Sequence, residues 1–241
     1  MTLFATLILW VLFPSYNACT GTDLLKFFSL MNSIFALTSC AATCFVIYYL
    51  LKESFLGTDH IINSTISVGI MIAASCDFYS GPVAAIAIGI FSGILSVCCY
   101  EFLAPILEHC GLYDTCGTFH LHFVPGIFGG IISAIAAASI TDESLNGATT
   151  INKHFNGRSP VTQGGYQMAG LVICIAIAAG SGLLSGLLLR IWRVVFHVPS
   201  DSFGDHVYWK IEYARPAPLP PIIEPIPPPK VVEVAISNPI I

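Results

Sequence analysis

Long apolar runs separated by short polar connections set the plan of this chain. A helix needs about 20 apolar residues to cross a bilayer, fewer when it is short or broken. Six stretches qualify, at roughly 2–17, 26–51, 61–77, 82–107, 122–140 and 166–196. In the first, Pro14 is expected to end or kink the helix, leaving Trp10, Phe13 and Tyr16 as interfacial aromatics at its exit. Reading it as a signal peptide cut after Ala18 fits poorly, because no basic segment leads in and the bulky Tyr16 stands where a small residue belongs.

Polar residues divide the remaining runs. Lys52, Glu53, Asp59 and His60 mark a short connection, and the third stretch carries Asn63, Ser64, Thr65 and Ser67 before ending at Asp77. Asn63-Ser-Thr matches a glycosylation acceptor, discounted because this helix entrance is expected on the cytoplasmic side. Pro105 is expected to kink the end of the fourth stretch, with Glu101 and Glu108 reaching water. Small residues recur at i+4 spacing in three places: Ala85, Gly89 and Gly93; Gly126, Gly130, Ala134 and Ala138; Ala178, Gly182 and Gly186. Such ridges let helix backbones approach closely in lipid.

The organising stretch is Asp114-Thr-Cys-Gly-Thr-Phe-His-Leu-His-Phe-Val-Pro-Gly-Ile-Phe-Gly-Gly130. Pro125 suits a first helical turn, so regular helix is expected to start near it, with extended or broken backbone ahead. His122 then sits at the junction, at membrane depth, where an ionisable group points to function. Two residues apart means about 200° of rotation on a helix and the same face on a strand. His120 and His122 therefore have different surroundings if the segment is helical, and His122, nearer the helix, is the favoured functional residue. The plain alternative is a buried histidine bonded to a backbone carbonyl. A zinc site from Cys116, His120 and His122 lacks a second ligand cluster, so no metal or other cofactor is expected.

Composition agrees with an all-α membrane bundle of about six spans. Of 241 residues, 55% are hydrophobic and only 10% charged, with mean hydropathy +0.80, too few polar groups to cover a soluble surface. The net charge of −5 and the lack of a basic patch argue against nucleic acid. Most of the nine cysteines lie inside apolar runs and read as small hydrophobes, not as a disulfide framework. Lys52, Arg190, Arg193 and Lys210 fall on one side and Lys26, Lys153 and Arg158 on the other, which favours both termini in the cytoplasm. The membrane domain is placed at 1–197 and a tail at 198–241. From 214 the tail is proline-dense and expected to be disordered or polyproline, either simply solvated or docking an SH3 or WW domain.

Glycine ridges, a broken helix and an intramembrane imidazole favour a transporter or channel over an anchor, since irregular backbone at membrane depth belongs in protein or beside a cavity. No nucleophile–base pair or HExxH motif points to an enzyme. A path with few charges rejects hydrated ions, whose dehydration is costly. An imidazole suits a small cargo that exchanges a proton, such as ammonium/ammonia.

The residues resemble the second half of the ammonium transporter/Rhesus glycoprotein family, on the Rhesus branch. The resemblance is carried by Asp114-Thr-Cys-Gly117, Leu121-His122, Pro125-Gly-Ile-Phe-Gly-Gly130, Leu9-Trp-Val-Leu-Phe-Pro-Ser-Tyr-Asn17, His60-Ile-Ile-Asn63 and Asp205-His-Val-Tyr-Trp209. It implies family helices six to eleven: one inverted repeat plus the final long helix of a subunit that works as a trimer in the plasma membrane. It also implies that His122 is the second of two pore histidines, Asp114 part of a proton path, Tyr16 a replacement for a gating phenylalanine, and Asn63 a polar residue near the start of the third helix. Phe123 stands where a glycine is usual, and the first pore histidine belongs to a helix outside this sequence. The chain is therefore expected to be a fragment, a truncated gene product or a half-transporter that must pair. The rival expectations are a non-transporting component that assembles with full-length relatives and a cytoskeletal adaptor working through its tail.

Overall fold

The computed structural model describes residues 2–19, 21, 23–52, 56–114, 116–142, 145 and 149–197, and the tail expected from 198 lies outside them. Among the described residues the regular elements are all helical. They are α1 (Thr2–Asn17), α2 (Asp23–Lys52), α3 (Thr58–Ala73), α4 (Pro82–Cys98), a π-helical turn (Cys99–Leu103) leading into α5 (Ala104–His109), a second π turn (Phe119–Phe123) leading into α6 (Val124–Ser139), α7 (Ile151–His154) and α8 (Pro160–Val195). The chain divides into two units at Leu183, and the last turns of α8 fall in the second.

Each of the six apolar stretches carries a helix, but among the described residues four helices are long and apolar enough on their own to cross a membrane: Leu24–Lys52, Pro82–His109, Phe119–Ser139 and Pro160–Val195. The other two, α1 and α3, have 16 residues each, about 24 Å of rise. The third was expected over 61–77; it starts at Thr58 and stops at Ala73, leaving Asp77 in the turn that follows.

α3 is the buried centre of the bundle, touching α1, α2, α4 and α6. Its apolar residues Val68, Met71 and Ile72 pack with Ala36, Leu37 and Cys40 of α2 and Ala85 and Ile88 of α4. Its polar residues are buried too: the Ser64 and Thr65 hydroxyls donate back to the Ile61 carbonyl, while other bonds cross to neighbouring helices. Ser67 shares a hydrogen bond with Ser92 (3.1 Å), Trp10 Nε1 donates to Thr65 Oγ1 (3.1 Å), and Asn17 Nδ2 donates to Ser33 Oγ and to the Gly69 carbonyl (both 3.2 Å). Unpaired, these groups would each cost free energy in a dry interior; paired, they fix which helix faces which.

The glycine ridges are used unequally. A Cβ on Gly89 would collide with Ser39 Oγ and the Ala36 carbonyl, and one on Gly93 would lie 2.8 Å from the Cys40 carbonyl, so α2 and α4 meet almost backbone to backbone. On α6 the close approach to α3 is made by Gly129, 2.7 Å from the Met71 carbonyl by the same measure, whereas Gly126 meets only Ile70 at 4.0 Å. Gly130 faces Leu171 of α8, and Gly164 of α8 presses on Ala134 and Ala138. A Cβ on Gly182 or Gly186 would meet open space among the described residues.

Regular α-helix starts beside Pro125 as expected, with α6 beginning at Val124, but the turn ahead of it differs from the expectation. The backbone ahead of Pro125 is neither extended nor broken; it is helical from Thr118 and widens into a π turn, in which the Val124 N–H reaches the Phe119 carbonyl. The same arrangement precedes Pro105, where the Ala104 N–H reaches Cys99. A proline ring clashes with the carbonyl four residues back, and one extra residue in the preceding turn moves that carbonyl away while leaving the helix continuous. Pro14 sits near the end of α1, which runs on to Asn17.

Candidate functional site

The two π turns meet at one end of the bundle, together with the end of α2 and the start of α3. There they line a cavity of about 550 Å³ whose wall includes Asp59, Asn63, Tyr100, Glu108, Asp114 and His120. The ring of Tyr100, from the first π turn, lies edge-on to that of His120 from the second, with centroids 5.9 Å apart.

Asp114 organises the entry to the second turn. Its carbonyl accepts the Gly117 N–H at 3.0 Å, closing a tight turn, and Gly117 adopts φ +70°, a left-handed conformation that glycine takes without strain. Its carboxylate Oδ2 accepts the N–H groups of Phe119 (2.9 Å) and His120 (3.4 Å) and lies 3.1 Å from His120 Nδ1. These two backbone donors cap the start of the helical turn and fix where the carboxylate points. The His120 side chain is 6% exposed, and its Nε2 is buried without a partner. A Cβ on Gly117 would lie 3.0 Å from His120 Cε1, so the glycine also makes room for the ring.

A second imidazole stands behind the first. His60 is buried, its ring 4.6 Å from Tyr100 and 4.4 Å from Tyr48. Glu101 bridges His60 Nε2 (3.3 Å) and Lys52 Nζ (2.6 Å) and is 13% exposed, so it keeps only a small contact with water, whereas Glu108 is exposed as expected. Lys52, His60, Tyr100 and Glu101 escaped notice in the sequence as a group, because they come from three separate segments. His60 had a signal of its own, standing three residues before Asn63 in the His60-Ile-Ile-Asn63 block.

Of the residues singled out, Asp114, His120 and Asn63 thus come together on the cavity wall. His122 and Tyr16 do not line it; both are exposed on this chain, Tyr16 at 71%. The helical geometry explains the split between the histidines, since two residues along the turn carry His122 to the face opposite His120. No group of His, Cys, Asp and Glu among the described residues has the arrangement of a metal site.

Residues 1–207 match the profile of the Ammonium Transporter Family. The chain is 33% identical over 232 residues to ammonium transporter Rh type C of Oncorhynchus mykiss, covering 91% of this chain and 47% of that protein. It is 31% identical over 212 residues to ammonium transporter Rh type B of Mus musculus, covering 86% and 47%. The chain thus spans about half the length of these relatives. Among solved structures it resembles Nitrosomonas europaea Rh50, a member of the Rhesus protein family of channels, with a TM-score of 0.61 and 25% identity, over 77% of this chain and 43% of that one. With its helical bundle and apolar spans, this chain therefore belongs to the ammonium transporter family, on the Rhesus branch.

Proposed function

We propose that this chain forms part of a membrane conduit for ammonium/ammonia, a transporter or channel and not an enzyme. The observation that carries the reading is the Asp114–His120 pair at the wall of a cavity, in a chain of this family. The carboxylates Asp59, Glu108 and Asp114 on the same wall suit a small cation, and among the described residues no lysine or arginine lines it. His122, exposed on this chain, meets the path at a surface completed by another segment or subunit, with Tyr16 at the outer end and Asn63 at the inner one. The working form is a trimer in the plasma membrane with both termini in the cytoplasm.

The test is methylammonium uptake in yeast lacking its own ammonium uptake, with the chain expressed alone and with a full-length Rhesus-type relative. Uptake that falls with His122→Ala in whichever assembly conducts supports the reading; unchanged uptake removes His122 from the path.

A second reading is favoured by one feature of the chain. Over the 36 residues of α8, Gly164 alone is buried, which leaves a long apolar surface for lipid or for another subunit. The chain would then be a non-transporting component that assembles with full-length relatives through α8. Co-purification with such a relative and no uptake alone would mark this second role; robust uptake alone would end it.

A further inference from the structure

We propose that His120, rather than His122 alone, provides this chain with a binding position for ammonium, through a bare nitrogen that Asp114 fixes as a hydrogen-bond acceptor. Three observations carry it. Asp114 Oδ2 already accepts the backbone N–H groups of Phe119 and His120, so it stands as an acceptor toward the imidazole as well. Nδ1 at 3.1 Å is then the protonated nitrogen of the neutral ring, the tautomer in which Nε2 keeps its lone pair. That nitrogen is buried and unpartnered in a residue lining the cavity, and a buried acceptor with nothing to accept favours any small donor that reaches it. The groups around it select the charge of that donor: Asp59, Glu108 and Asp114 supply negative charge, and Tyr100, Tyr113 and Cys116 line the same wall.

The ligand class is a small monovalent cation that carries N–H donors, ammonium or a primary alkylammonium, and not a cation recognised by charge alone. Asp114 is a positioning residue here, since it fixes the tautomer and orientation of the ring that makes the contact. The inference rests on the ammonium reading above and concerns one place along that path.

The test uses the full chain in lipid nanodiscs with nitrogen-15 labelled histidine, His120 being assigned by its loss in His120→Gln. The free protein should show Nδ1 protonated and Nε2 bare. Ammonium and methylammonium should shift the Nε2 resonance, and tetramethylammonium, equally charged but without N–H donors, should not. Asp114→Asn, which replaces the anionic acceptor with an amide, should weaken the ammonium effect about tenfold or more and change the tautomer ratio, a readout a purely structural role leaves untouched. A His120 resonance indifferent to ammonium, or equal shifts from tetramethylammonium, overturns the proposal. Binding without methylammonium flux in any assembly would sink the transport reading and keep this site, whereas flux with no response at His120 would do the reverse.

Discussion

Glu101 and His60 come within 3.3 Å of each other across two helices, although 40 intervening residues separate them in the chain. Glu101 stands in the π turn placed just ahead of Pro105, and His60 in the first turn of α3. Lys52 closes the group from the exposed side, with a side chain 45% exposed against 7% for His60.

That difference in burial ranks the partners of Glu101. Removing the carboxylate leaves a buried imidazole nitrogen without its partner, which costs about 1–3 kcal/mol. Removing Lys52 deletes a pair whose cationic end lies in solvent and leaves the His60 contact in place, which is the smaller loss. Glu101→Ala should therefore lower apparent stability in detergent clearly more than Lys52→Ala, measured by thermal unfolding of the purified chain. An equal or larger loss from Lys52→Ala would show that the outer pair, not the inner one, holds this end of the bundle.

The glycines make a sharper contrast. Gly89→Ala must push apart α2 and α4, where the added methyl meets a backbone carbonyl and a serine hydroxyl, and overpacking of this kind costs about 1–3 kcal/mol or more. Gly182→Ala adds a methyl to open space and improves helix propensity by up to about 1 kcal/mol. The first variant should lose folded yield and melt earlier, and the second should match or exceed the parent chain. If Gly182→Ala instead behaves well alone but fails to co-purify with a full-length relative, the open face of α8 is a subunit contact.

How far the sequence showed these features depends on the range of the interaction. Apolar runs gave all six helices, because lipid selects for length and hydropathy, which are local properties. Pro105 and Pro125 were legible as interruptions, but whether a proline kinks a helix or widens it into a π turn depends on what the neighbouring helices leave room for. The choice had a consequence at His120 and His122: a helix that begins at Thr118 turns the first inward and the second outward, whereas a broken segment would not have separated them. Small residues at i+4 spacing marked faces that are able to pack closely, yet nothing local distinguishes Gly129, against the α3 backbone, from Gly126, which is nearly open. The cluster of Lys52, His60 and Glu101 had no local signature.

Asn32 holds the opposite end of the bundle. Its Nδ2 donates to the carbonyls of Cys76 (2.8 Å) and Tyr79 (2.7 Å), pinning the turn between α3 and α4 to α2. Both carbonyls lie past the end of α3, where no helical donor is available to them. Asn32→Ala leaves them to find other partners and should cost about 2 kcal/mol. Asn32→Asp should cost at least as much, since an ionised carboxylate offers only acceptors to two acceptors. Protection of the backbone amides around 74–80 from hydrogen exchange should drop in both variants. Unchanged protection there would mean the turn is held by Phe78 packing against Phe28 and Phe155 alone.

The same turn sets a pH dependence. Asp77 lies past α3 with His154 Nε2 at 3.7 Å. Burial pushes its carboxyl above the ordinary aspartate value, and the nearby imidazole opposes part of that rise. A carboxyl whose pKa is higher in the folded state holds its proton there at pH values where the unfolded chain has already released it. Its contribution to stability is then full below the unfolded value of about 3.9 and is lost as pH rises through the folded value. Asp77→Asn keeps a neutral polar group in place and removes that titration. Unfolding temperatures measured from pH 4 upward should fall more steeply for the parent chain than for Asp77→Asn, so the variant gains relative stability toward neutral pH. Parallel curves would mean that the ionised Asp77 is as well accommodated by His154 and water as the protonated form, and that burial at this turn carries no penalty.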